Sequence, residues 1–243
     1  ITIEKVFAGA NKIDNVYANR DGKKAATYPT ISNLVVHVTT TSAKAGLFAS
    51  TNAEINHLTL DNVQITATAA ATAAEMGALV GEITGATATV ANVTAKNVTI
   101  TGVATTAANA VQSIGGIAGT VKGTSTFKDV AVNTATLTGY ANRGGIIGNV
   151  AASADVTLGA SGTNGAGRKT AVNKCSVSGV TINEATGPNE YDPVYAKKGL
   201  YVGTVDNSGI PTYTLATLKV YESAAPGNTI AMPAKAKWTV IDN

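Results

Sequence analysis

The sequence contains one cysteine, two histidines and two methionines in 243 residues. A lone cysteine, Cys175, excludes an internal disulfide framework and any cysteine-based zinc site. The histidines, His37 and His57, show neither an H-E-x-x-H run nor a paired spacing, so no transition-metal chemistry is expected and no motif implies a cofactor. Charged residues make up only 14% of the chain, and 18 Lys+Arg against 15 Asp+Glu leave a net charge of +3. The adjacent basic pairs Lys23-Lys24, Arg168-Lys169 and Lys197-Lys198 are scattered, which argues against a nucleic-acid partner. No apolar run approaches the roughly 20 residues of a membrane helix. The chain begins at Ile1 with neither an initiator Met nor a basic-plus-apolar leader, so it reads as a processed or truncated piece whose export signal lies outside it.

Aromatic residues are also scarce, at 5%, yet 44% of the chain is hydrophobic and 25 residues are glycine. The apolar bulk is Ala, Val, Ile and Leu beside many threonines. Low charge with abundant β-branched residues argues for folded β-structure rather than disorder.

Internal repetition is the main signal. A glycine-bracketed apolar segment occurs five times: Gly46 to Ser50, Gly77 to Gly81, Gly115-Gly116 to Gly119, Gly144-Gly145 to Gly148, and Gly199 to Gly203. Downstream of the segments comes a second pattern with apolar residues at offsets 0, 3, 5, 8 and 10: Ile55, Leu58, Leu60, Val63, Ile65; Val90, Val93, Ala95, Val98, Ile100; Phe127, Val130, Val132, Ala135, Leu137; Val172, Cys175, Val177, Val180, Ile182. A weaker copy starts at Ile31, with Leu34 and Val36, and a last one is expected at Leu215, Leu218 and Val220.

Steps of two are the period of a strand with one buried face, and steps of three mark corners between short strands. Asn62, Asn97, Thr134 and Gly179 stand just before the second short strand, mostly residue types that tolerate left-handed backbone. Matching positions recur after about 35, 37 and 45 residues, so each repeat adds one supersecondary unit that buries its apolar face only against its neighbours. Helical repeats share this period, but the Glu, Lys, Leu and Arg that build them are too few here.

These features predict an all-β fold, a repetitive parallel β-helix-like solenoid with irregular N- and C-terminal caps. It is a single domain over 1–243: 1–29 as N-terminal cap or first irregular coil, 30–221 as about five repeats, and 222–243 as C-terminal cap. Gly-Ser-Asn-rich 151–170 reads as a solvent loop, and 183–198 as a second insertion. Insertions in repeat folds emerge on one face and often carry function.

The glycine segments resemble the GLUG motif (glycine, leucine, an apolar residue, glycine) of repeat arrays in bacterial surface and secreted proteins. The resemblance rests on Gly77 to Gly81, Gly115 to Gly119, Gly144 to Gly148 and Gly199 to Gly203, and spans residues 30 to 220. Among these four, only Gly199-Leu200 keeps Leu directly after the first Gly. It implies a parallel β-helix-like solenoid on an exported, adhesin-like protein with no catalytic residue set. It also implies structural roles for Gly46, Gly77, Gly81, Gly115, Gly116, Gly119, Gly144, Gly145, Gly148, Gly199 and Gly203, either at close backbone approaches or at positive φ.

The expected function is therefore a non-enzymatic adhesin-like module or surface-fibre subunit, on a bacterial cell surface or extracellular. Its partners would be a glycan or a host or cell-surface protein. Self-assembly through 1–9 or 227–243, or fusion to further domains of a larger surface protein, is the other kind of contact expected. The candidate ligand loop holds Glu190, Tyr191, Asp192 and Tyr195, suited to a sugar or Ca²⁺; a loop packed by its own tyrosines is the plainer reading. Cys175 shares its column with Leu58, Val93 and Val130, which makes it a small core residue. His57 lies in a polar, mixed column with Asn33, Asn92, Asp129 and Lys174, and Tyr201 shares a core column with Phe48, Leu79, Ile117 and Ile146. The alternative is a carbohydrate-active enzyme or its accessory binding domain, which needs two carboxylates gathered in a groove. Stacking would draw the dispersed Asp61, Glu82, Asp129 and Asp155 toward one another.

Overall fold

The computed structural model describes residues 29–205, except 69–70, 72, 86, 104–111, 140–141, 153, 164–168, 185–197 and 200, together with the strand backbones at 2–3, 7–8, 217–221 and 237–241. Among the described residues there is no helix, and every strand pair but one is parallel. Three parallel sheets of ten, five and six strands carry the chain, and a separate two-stranded hairpin is antiparallel.

Each repeat contributes one piece to each parallel sheet. Its glycine segment supplies a short strand to the five-stranded sheet (Lys44–Ala45, Glu75–Gly77, Ser113–Gly115, Asn142–Gly144, Lys198–Gly199). It then supplies another to the six-stranded sheet (Phe48–Thr51, Val80–Ile83, Ala118–Val121, Ile147–Val150, Val202–Val205). The offset pattern then forms the ten-stranded sheet, through Thr30–Val38, Ile55–Ala67, Ala88–Thr101, Ala131–Gly139 and Ser176–Glu184.

The steps of three are corners, as their spacing implies. Positive φ occurs at His57, Asn92 and Asp129, between offsets 0 and 3, and at Asn62, Asn97, Thr134 and Gly179, between offsets 5 and 8. Asparagine and aspartate tolerate this conformation because their short polar side chains bond locally; threonine does not share that ease. On either side of these corners the apolar columns are buried, except at Val177, Val180 and Ile182 around Gly179, which are half-buried. Val63, Val98 and Ala135 lie in register, as do Ile65, Ile100 and Leu137.

Three expectations are corrected in register. Ile31, Leu34 and Val36 pair with Leu60, Val63 and Ile65, which puts them at offsets 5, 8 and 10 rather than 0, 3 and 5. The pattern repeats its own steps after five residues, so three matches fit either placement. Asn33 therefore stands beside Asn62 at the second corner, away from His57. In the fourth unit, Leu158 rather than Val172 pairs with Phe127. Val172 lies in the antiparallel hairpin Ala160–Thr163 with Lys169–Val172, which is inserted at the first corner. The stretch 151–170 is thus not one solvent loop: Asp155–Leu158 is a strand of the ten-stranded sheet, and only the hairpin is extra. Further along, Leu218 and Val220 pair with Val156 and Leu158, so Val220 falls at offset 0, and Lys237–Ile241 adds a parallel strand beside Thr217–Tyr221.

The bracketing glycines sit where the five- and six-stranded sheets meet backbone to backbone. A Cβ on Gly148 would lie 2.5 Å from the Ile114 nitrogen and 2.7 Å from the Gly119 carbonyl oxygen, leaving no room for any side chain.

Candidate functional site

The loop residues Glu190, Tyr191, Asp192 and Tyr195 lie outside the described residues. Two other features carry chemistry: a regular outer face on the ten-stranded sheet, and a charged cluster between the two smaller sheets.

Beyond the second corner, side chains alternate strictly between core and solvent, as a strand period of two requires. Five strands in unbroken register then present two outward rows. One is Val35, Gln64, Thr99, Thr136 and Thr181; the other is His37, Thr66, Thr101, Thr138 and Asn183. All ten are exposed or half-buried, and neither row contains an acid, lysine or arginine. Neighbours within a row are separated by the interstrand spacing of about 4.8 Å, and threonine's branched Cβ keeps χ1 restricted. The result is a firm, hydroxyl-rich surface. Between the corners runs a mixed row, Ser32, Asp61, Lys96, Asn133 and Ser178. There the amide of Asn97, and then Lys96 at 3.1 Å, hold the Asp61 carboxyl below its usual range.

The charged cluster draws on three repeats. Lys44 pairs in register with Glu75 on the five-stranded sheet, and Glu82 lies between Ser50 and Thr120 on the six-stranded sheet. Glu82, whose side chain is 2% exposed, accepts ion pairs from both Lys44 and Lys122. Lys122 also reaches Glu75 at 3.2 Å. Burial opposes the charge on Glu82, yet its bonds to Lys122 and Lys44 outweigh that and hold its carboxyl below the ordinary range. Glu75 moves the other way: burial first, then the charge of Glu82, pushes it up. Burial works against the Lys122 ammonium, but the two carboxylates prevail and raise its pKa.

Sequence reasoning passed over Lys44, Glu75 and Lys122, and it grouped Glu82 with the wrong acids. Asp61 is on the ten-stranded sheet and Glu82 on the six-stranded one, and among the described residues no three His, Cys, Asp or Glu side chains gather as a metal site. A signal was present, since the positions two before and one after the glycine bracket are polar in successive units: Glu75 and Glu82, Ser113 and Thr120, Asn142 and Asn149. Arg143 was missed too. It takes the register position of Met76 and Ile114, is fully buried, and donates through Nη1 to the Gly139 and Asn183 carbonyls at 2.6 and 2.8 Å.

Cys175 is buried, its Sγ lies 3.4 Å from the Phe127 carbonyl oxygen, and burial pushes its thiol up to about 12. The thiolate is thus suppressed, which removes nucleophilic character. Tyr201 is 5% exposed, and its carbonyl accepts from the Ile146 amide, so it belongs to the core. Comparison with known proteins finds no family model, no curated protein and no solved structure that matches the chain.

Proposed function

We propose that the stacked sheets form a β-helix-like solenoid, and that the chain is a non-enzymatic, adhesin-like repeat module of a bacterial surface or secreted protein, akin to GLUG-motif arrays. It binds a glycan or a surface protein, with the inserted loops adding selectivity to the flat outer face. The observation that supports this reading is the pair of outward rows without Asp, Glu, Lys or Arg, held in register over five strands. A shallow face gives each contact little net energy, because every hydroxyl already bonds water. Useful affinity then comes from many contacts presented at once on a rigid frame. A glycan and cell-surface protein array probed with the full chain tests this. Binding should fall at least tenfold in Thr99→Tyr/Thr136→Tyr or in Tyr191→Ala/Tyr195→Ala; binding untouched by both pairs removes the face and the loop together.

A second reading, a carbohydrate-active enzyme or its accessory domain, draws on Glu75 and Glu82, whose pKa values are driven apart as in an acid–base pair. Against it, both carboxylates are already bonded to lysine. Polysaccharide cleavage that disappears in Glu82→Gln would establish the enzyme.

A further inference from the structure

The Glu75–Glu82 arrangement poses the problem of an unpaired oxygen. Glu75 uses Oε1 for Lys122, while its Oε2 is buried and has no hydrogen-bond partner. Glu82 is better served, with Oε1 bonded to Lys44 and Oε2 paired with Lys122. Lys122 Nζ reaches Glu75 Oε1 at 3.2 Å and also pairs with Glu82 Oε2, so one ammonium holds the two carboxyls side by side, and the charge of Glu82 acts on Glu75. Two ionised carboxylates in that position repel, and Glu75 Oε2 stays a buried acceptor without a donor. One proton on Glu75 Oε2 removes both defects, because it turns a repelling acceptor into a donor.

We propose that Glu75 and Glu82 share a single proton, and that the hydrogen bond so formed makes the Lys44–Glu82–Glu75–Lys122 cluster a clasp between three consecutive repeats that tightens as the protein is acidified toward the ordinary carboxylate range. The cluster bridges the chain from residue 44 to residue 122, adding a polar link to strands that also share backbone pairing, the glycine contact of the two smaller sheets and a common apolar core. Its register neighbours Ser50, Ser113 and Thr120 are neutral, so the charges acting on the pair are those of Lys44 and Lys122.

The direction with pH follows from which state holds the proton more tightly. Glu75 binds it more tightly folded than unfolded, so stability grows as the pH falls through the window above the ordinary value of 4.5 and is fully gained below it. Glu82 behaves oppositely: its contribution is present above 4.5 and is lost at more acid pH. The clasp is therefore tightest near the lower edge of the Glu75 window and fails below it.

Thermal unfolding of the full chain between pH 8 and pH 4, for wild type, Glu75→Gln and Glu82→Gln, tests the proposal. Glu75→Gln keeps the shape and supplies a permanent donor, so it should melt about 2–4 °C above wild type at pH 8. That advantage should shrink steadily as the pH falls toward 4.5. Glu82→Gln should melt lower throughout. A Glu75→Gln profile that runs parallel to wild type, or lies below it at pH 8, overturns the clasp. Carboxyl carbon-13 NMR of the folded wild type tests the shared proton independently, even if a variant fails to fold. One glutamate should titrate well above the rest, and its absence refutes proton sharing.

Discussion

Asn62 donates through its side-chain amide to the Asn33 side-chain oxygen at 2.7 Å, linking two strands 29 residues apart in sequence at the same corner. Both residues have positive φ, 60° at Asn33 and 56° at Asn62. The bond marks the true register of the first long strand, and it joins backbone geometry to side-chain chemistry at one position. Replacing Asn62 with Ala should cost about 1–2 kcal/mol, chiefly because a Cβ-bearing residue without a local polar bond resists the left-handed region. Asn62→Gly should cost much less, since glycine enters that region freely. Equal losses for the two, measured by chemical denaturation, would mean that the amide bond rather than the backbone sets the energy.

Thr134 occupies the same corner at φ 57°, in a column otherwise filled by Asn33, Asn62, Asn97 and Gly179. A β-branched side chain in this conformation is strained, and the residue is exposed, so no packing is lost by changing it. Thr134→Asn should stabilise the protein by about 1 kcal/mol, which corresponds to about 2–4 °C in melting temperature. An unchanged or lower melting temperature would show that the neighbouring strands have already relieved the strain.

Gly148 tests the junction of the smaller sheets. Because an added methyl would press on backbone atoms of Ile114 and Gly119, neither of which can rotate away, Gly148→Ala must push strands apart. The expected loss is about 1–3 kcal/mol or more, read as a shifted denaturation midpoint. A loss below about 0.5 kcal/mol would mean the sheets separate easily and the glycine bracket is dispensable there.

The same residues show how far the sequence could be read. Parallel β-stacking and both corners were legible because period-two burial and left-handed residues leave a direct trace in composition. The register of Ile31 was not, since the pattern is self-similar after five residues and only the ladder with Leu60 decides it. Val172 misled for a different reason: an inserted hairpin can end on an apolar residue at the expected spacing, while Leu158 keeps the true place beside Phe127. The clasp of Glu75 and Glu82 depends on two sheets meeting at a bend, a relation that stepping along one strand does not display. Arg143 escaped because its column was expected to be apolar, as Met76 and Ile114 are.

Cys175 offers a readout of this architecture from the inside. It pairs with no other thiol, sits in the buried column with Leu58, Val93 and Val130, and lies next to the hairpin inserted at the first corner of the fourth unit. With its thiol pushed up to about 12, it should resist an aromatic disulfide reagent at pH 8 and react only as fast as the corner opens. Adding sub-denaturing urea should then speed labelling in proportion to local unfolding. Cys175→Val should match wild-type stability within about 1 kcal/mol, because the column accepts that volume, whereas Cys175→Ser should lose about 1–3 kcal/mol by burying a hydroxyl. Rapid native-state labelling would place the thiol at the surface and displace the fourth unit from the stack.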